Sequence, residues 1–208
     1  MPTTHDDRQC HGPQSTNGTT PRTANPGLRD RPGHRLHYGE PVPAVVRRAR
    51  TADVPQIKAI VDLYAGAGRK LLAKELVTLY EDVQDFLVAE LDGTVVGCGA
   101  LHVLWSDLGE VRTLAVHPDH VKARIGAQLL AALIDTARQL GLSRLFALTF
   151  HTGFFARAGF VEIEEAPVDR DAYEELRRSP DPGVAEFLNL EYVKPNTLGN
   201  TRMLMNLG

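Results

Sequence analysis

A chain of 208 residues with a formal net charge of -3 has room for one ordinary domain and an extension. That charge, without a basic stripe interleaved with aromatics, argues against a nucleic-acid partner, and no apolar run is long enough to span a membrane. The two cysteines, Cys10 and Cys98, give no disulfide framework, which fits a reducing cytoplasm.

Residues 1–43 hold seven of the 13 prolines, many small polar residues and few large apolar ones. Such a segment cannot bury enough surface to offset its ordering entropy. It is expected to be a disordered tail ahead of a domain over residues 44–208. It lacks the apolar stretch of a signal peptide. His5, His11, His34, His37 and Cys10 match no ligand spacing, so no metal is expected.

Residues 44–50 (AVVRRAR) read as a first strand. Asp53 is a candidate cap and Pro55 suits a first turn, ahead of an apolar helical face of Val54, Ile57, Ile60, Val61 and Tyr64. The stretch LLAKELVTLYEDV has helical periodicity. Residues 86–90 and 94–104 are strands joined by Asp92-Gly93, a strong hairpin signal. Cys98, in the second of these, reads as a small core residue.

Residues 109–160 carry the most information. Val111, Leu114 and Val116 lie in a strand stopped at Pro118. From Ile125, apolar residues recur at helical spacing through Leu129, Leu133 and Ala137, and Gly141 is the stop. A strand follows over 145–150, then a short helix ending at Gly159-Phe160. Strand, loop, helix and strand make a βαβ-like unit whose helix N-terminus is a ready anion site. Residues 171–178 read as another short helix and 201–207 as a last strand.

This order resembles the acetyl-CoA-binding core of GNAT-type N-acetyltransferases. The pieces VVRRARTADV, LLAKELVTLY, VVGCGALHVLWSDLGEVRTLAVHPDH, LFALTF, FFARAGF and EYVKPN…NTRMLM look, more narrowly, like the stand-alone amino-acid N-acetyltransferases of actinobacteria that serve as N-acetylglutamate synthases. The resemblance covers about residues 44–207. The longer bacterial synthases also carry an amino-acid-kinase domain, for which this chain is too short. The implied fold is α+β, a GNAT acyl-CoA N-acyltransferase fold with a mixed central sheet flanked by helices.

The resemblance implies acetyl-CoA as co-substrate. The strand at Leu114, Ala115 and Val116 would hold the pantetheine arm, and Lys122, Ala123, Arg124, Ile125, Gly126 and Ala127 the pyrophosphate. Here the loop departs from the family's glycine pattern, with Val121 and Arg124 at places usually held by Gln or Arg and by Gly. Lys122 and Arg124 add charge-assisted contacts to phosphate. Glu110 stands where the family often places its general base, and amides around Leu114 would stabilise developing negative charge. Phe155 takes the place of the family's proton-donating tyrosine and has no proton to give; water, another tyrosine such as Tyr192, or no general acid at all are the alternatives. An amino acid with two carboxylates calls for cations, so Lys74, Arg112, Lys194 and Arg202, with Asn196 and Thr201, are the candidate substrate contacts.

The expected reaction is acetyl transfer to the α-amine of glutamate or glutamine, opening arginine biosynthesis. Glu110 read structurally is an edge carboxylate pairing with Arg112. A GNAT enzyme for another amine and a non-catalytic acyl-CoA-binding module are the competing readings, and a homodimer is allowed.

Overall fold

Seven strands make one mixed sheet: β1 (Val45–Arg48), β2 (Phe86–Leu91), β3 (Thr94–Trp105), β4 (Leu108–Val116), β5 (Arg144–Thr149), β6 (Val161–Ile163) and β7 (Thr201–Asn206). Their order is β1-β2-β3-β4-β5-β7-β6. Every neighbouring pair is antiparallel except β4 and β5, which run parallel. The helices are α1 (Val54–Ala65), α2 (Leu76–Glu81), α3 (Ile125–Gln139), α4 (Thr152–Ala156), α5 (Arg170–Leu176) and α6 (Pro182–Phe187). The computed structural model describes residues 44–65, 73–193 and 199–208, and of Lys122 the backbone only; the expected tail over 1–43 lies outside the described residues.

Local chemistry explains the borders. Asp92 and Gly93 both take positive φ, 49° and 79°, as a type I′ hairpin requires. α3 ends in a Schellman arrangement: the Leu142 N–H donates to the Ala137 carbonyl, the Gly141 N–H to that of Arg138, and Gly141 has φ 80°. Asp169 caps α5 through the Ala172 N–H at 2.8 Å, so this helix starts one residue before the sequence pattern suggested.

The helix expected across LLAKELVTLYEDV is shorter. α2 begins at Leu76, its cap Glu75 makes no side-chain hydrogen bond, and Leu79 is its only buried residue, so one apolar contact supports little more than a turn and a half. Lys74 therefore lies before the helix. β6 and α6 were not anticipated.

Side-chain alternation divides the core between the two faces. Leu87, Ala89, Leu145 and Ala147 pack with Leu129 and Leu133 of α3. Phe86, Val88, Cys98 and Ala100 pack with Val54, Ile57 and Val61 of α1. Farther along that second face, Leu108 and Phe146 meet Leu176 of α5 and Val184 and Phe187 of α6. Cys98 is wholly buried, and burial pushes its thiol up to about 12, so it is a core residue as expected.

Candidate active site

The sheet forks at Glu110. The parallel register of β4 and β5 runs from Leu108↔Arg144 to Glu110↔Phe146, after which β4 continues to Val116 and β5 to Thr149 without pairing. A bulge bends β4 just past the fork. Arg112 lies opposite Ala100 and Ala115 opposite Cys98, so Thr113 and Leu114 together face Gly99. Thr113 has φ 53°, a conformation that costs a β-branched residue on the order of 1–3 kcal/mol. A Cβ on Gly99 would come within 2.9 Å of Leu114 Cδ1 and Leu133 Cδ1, so glycine permits the close approach.

Beyond Val116 the chain makes a 3-10 segment over Pro118–Ala123, and Arg124 turns it into α3 with φ 58°. Arg124 stands at the place the family usually gives to glycine and still adopts the left-handed conformation. The amides opening α3 are the unpaired donors of a helix start. Ala127 is committed elsewhere, its N–H donating to the Arg124 carbonyl at 3.1 Å. Gly126 leaves ordinary contact distances of 3.7 Å to Phe154 and Val116. Tyr64 of α1 donates its hydroxyl to the Val116 carbonyl at 2.5 Å, and burial raises its phenol. Phe155 is a core residue, edge-on to Phe154 and Phe160.

On the α1/α6 face a cleft of about 830 Å³ opens over Glu110, Arg112 and Thr113, walled by the Lys74–Asp82 stretch and by residues 180–183 and Glu186. Glu110 is 5 % exposed. Its Oε2 accepts from Arg112 Nε at 2.6 Å, and Arg112 Nη1 donates to Asp181 Oδ2 at 2.7 Å. Burial opposes the charge of Arg112, but the two carboxylates outweigh it and raise the guanidinium above its usual range. Burial would likewise lift the Asp181 carboxyl, yet Arg112, the Gly183 amide and His102 hold it below the ordinary range. The guanidinium lies flat on Gly183, where a Cβ would be 2.7 Å from Cζ.

Of the candidate substrate residues, the structure brings Lys74 and Arg112 to this cleft beside Glu110. Lys74 Nζ donates to Asp82 Oδ2 at 3.0 Å. Arg202 lies outside the cleft's lining, within electrostatic reach of Glu110. Its guanidinium donates to the Glu186 and Phe187 carbonyls and covers the Phe146 ring at 5.1 Å. Burial lowers it, with Glu110 acting the other way. It lines a second cavity of about 360 Å³ with Glu164, Asp169 and Tyr173. Thr201 pairs with Thr149 at the end of β7. Lys194 and Asn196 lie outside the described residues. Tyr192 is 73 % exposed, so it does not reach in as the missing tyrosine. Sequence reasoning missed Asp181, Gly183 and His102. The Asp181-Pro182 pair, a cap followed by proline at the first helical position, was the available signal.

Residues 57–160 match the acetyltransferase (GNAT) family. The chain belongs to the GNAT acetyltransferase family. Within it the chain is 61 % identical over 166 residues to the amino-acid acetyltransferase of Mycobacterium tuberculosis, spanning 78 % of this chain and 94 % of that one. Among solved structures it superposes on Mycobacterium tuberculosis Rv2747 in complex with CoA and NLQ, at TM-score 0.76 and 61 % identity, covering 78 % of this chain and 98 % of the other. The N-acetylglutamate synthase of Neisseria gonorrhoeae, solved with coenzyme A and N-acetyl-glutamate, gives TM-score 0.63 at 29 % identity, covering 79 % of this chain and 35 % of that longer one. The mixed sheet flanked by helices is thus the GNAT fold the sequence implied, and the chain is an N-acetyltransferase of the amino-acid type.

Proposed function

We propose that this GNAT enzyme moves acetyl from acetyl-CoA to the α-amine of L-glutamate or L-glutamine, the opening step of arginine biosynthesis, with its catalytic unit in residues 44–208. The observation that carries the reading is the fork. The β4–β5 split opens at Glu110, with the start of α3 at the end of β4 and the cleft on the opposite face. The described residues fit acetyl-CoA: Leu114 to Val116 lie on the freed edge of β4 for the pantetheine arm, and Ile125 and Gly126 open α3 for the pyrophosphate. When bound, acetyl-CoA supplies the acetyl group as an activated thioester.

The chain's own residues supply the rest. A free α-amine is mostly protonated at neutral pH, so a base is needed. Glu110 faces the cleft with Oε2 held by Arg112, which leaves Oε1 for the amine proton, directly or through water. The amide of Leu114, turned by the bulge, is the donor for the carbonyl oxygen that gains charge. Buried cations suit a carboxylate-bearing substrate: Arg112 Nη2 and Arg202 Nε have no hydrogen-bond partner among the described residues. Phe155 and Tyr192 are not assigned a proton-transfer role.

Initial rates of thiol release with acetyl-CoA and each common amino acid test the proposal. Turnover with glutamate or glutamine well above the rest is expected. Turnover confined to other amines, or tight acetyl-CoA binding with no turnover, would overturn it in favour of one of the competing readings.

A further inference from the structure

Acidic and basic side chains alternate in a row that runs from Asp85 to Glu110 and enters the cleft at Asp181. Asp85 Oδ2 lies 3.3 Å from His102 Nδ1, and His102 Nε2 lies 3.7 Å from Asp181 Oδ2. The same Asp181 oxygen accepts from Arg112 Nη1 at 2.7 Å, and Arg112 Nε reaches Glu110 at 2.6 Å. Asp181 is fixed independently of Arg112: its Oδ1 accepts the Gly183 N–H at 2.6 Å as the cap of α6, and its own N–H donates to Ser179 Oγ. One buried guanidinium is therefore shared by two carboxylates, one on β4 and one 69 residues away.

The sharing matters for a base. Glu110 has Arg112 on its own strand, bonded at 2.6 Å, and the guanidinium of Arg202 on β7 within electrostatic reach. Directly opposite on β3 is His102, with Asp85 behind it. α6 contributes Glu186 alongside Asp181, and the facing wall carries Lys74, Glu75, Glu81 and Asp82. Of these groups, Asp181 is bonded at 2.7 Å to the guanidinium that holds Glu110.

We infer that Asp181 is a positioning residue for Glu110: by holding Nη1 of Arg112 it fixes the guanidinium that orients the Glu110 carboxylate, and it offsets the positive charge beside that carboxylate. The inference rests on the reading of Glu110 as the base. Without Asp181 the full charge of Arg112 acts on Glu110, which becomes a weaker base.

Asp181→Asn tests this: asparagine caps a helix as well as aspartate does, so its oxygen can keep the Gly183 N–H, while the charge and the acceptor for Arg112 Nη1 are lost. Asp181→Ser, another good cap, is the second neutral variant, and Asp181→Glu retains the charge. In each the pH profile of kcat/KM is measured with acetyl-CoA and the preferred amino acid, and Tm is recorded. The acid limb, where the rate rises as Glu110 ionises, is expected to move to lower pH by on the order of one unit in both neutral variants, with a severalfold lower plateau and an unchanged KM for acetyl-CoA. Asp181→Glu is expected to keep the limb at its wild-type position. The ionisation of the substrate amine is common to all four proteins and does not move. An unmoved limb in the neutral variants, or an equal shift in Asp181→Glu, overturns the role of Asp181, and a fall in Tm alone marks it as a helix cap only. Glu110→Gln is run beside them. If it abolishes the limb while Asp181→Asn leaves it in place, the Asp181 inference alone fails; if it keeps both turnover and limb, the reading of Glu110 as base fails and this inference with it.

Discussion

Gly183 offers a steric test of the same network without touching a charge. A Cβ at this position would lie 2.7 Å from Arg112 Cζ, 2.8 Å from Nη2 and 3.0 Å from Nη1, where ordinary contacts begin at 3.4 Å. The guanidinium must retreat by roughly 0.7 Å. Arg112 ends in a flexible side chain, which would make the retreat easy on an open surface. Here it is held at 2.6 and 2.7 Å by carboxylates on two different elements, so the movement lengthens at least one of the two bonds. Alanine in place of glycine in a helix gains about 0.5–1 kcal/mol, while forcing extra volume into a packed site costs about 1–3 kcal/mol. The net loss is about 1 kcal/mol, which for a domain of this size lowers Tm by about 2–4 °C. Catalysis is hit harder than stability, because displacement of a positioning group by 1 Å can cost about a hundredfold. Gly183→Ala is therefore expected to lower kcat/KM at least about tenfold in a thiol-release assay while calorimetry shows a nearly intact fold. Wild-type kcat/KM with an unchanged Tm would refute the tight seating of Arg112 on α6.

Arg124→Gly removes the cost of holding a side chain at φ 58° and should stabilise the fold by about 0.5–1 kcal/mol. If its guanidinium serves the pyrophosphate, the KM for acetyl-CoA rises at the same time; a Tm that fails to increase in a thermal melt would show that the loop carries no strain. At the sheet's edge, Asp53 accepts from Arg47 at 2.7 and 2.9 Å and from the Arg50 N–H at 2.7 Å, and the Arg47 hydrogen bonds hold its carboxyl below the ordinary range against the cost of burial. A depressed folded-state value means that the contribution is fully present above the unfolded carboxyl value, about 3.9, and is lost as pH falls through the folded one. Asp53→Asn should thus lose about 1.5–3 kcal/mol at pH 7 in urea unfolding, and its stability should fall less steeply than wild type below about pH 4. Equal acid slopes for the two proteins would count against this account.

How far the sequence could be read depended on whether a feature was local. Asp92-Gly93 announces its own turn, and Gly141 its helix end, because each conformation belongs to the residue that adopts it. Glu110 was singled out by the family resemblance, which often puts a base just before this strand, and the structure sets it at the fork. Arg124 hid a left-handed residue behind a side chain that rarely adopts one, and Thr113 did so more thoroughly, since a β-branched residue is the least expected there. α6 was missed because a six-residue helix opening Pro-Gly shows too few apolar repeats to stand out from a loop. The Arg112–Asp181 contact joins residues 69 apart, and local periodicity carries no information about such a pair.

The bulge at Thr113 connects these features into one functional division of β4. In an unbroken strand Glu110, Arg112, Leu114 and Val116 would all point to the same face. The extra residue reverses the alternation between Arg112 and Leu114. Glu110 and Arg112 face the cleft and α6, whereas Leu114 and Val116 pack with the α3 core and Ala115 joins the α1 cluster. One strand thereby presents its charged pair to the side where the amine is proposed to arrive and its apolar pair to the side from which α3 begins. A slip of one residue in the pairing of β4 would carry Glu110 into the apolar α3 core, where an ionised carboxylate is costly. Gly99 admits the bulge and the bulge sets the facing, so the position of the candidate base follows from backbone geometry three residues downstream of it, before any partner side chain acts.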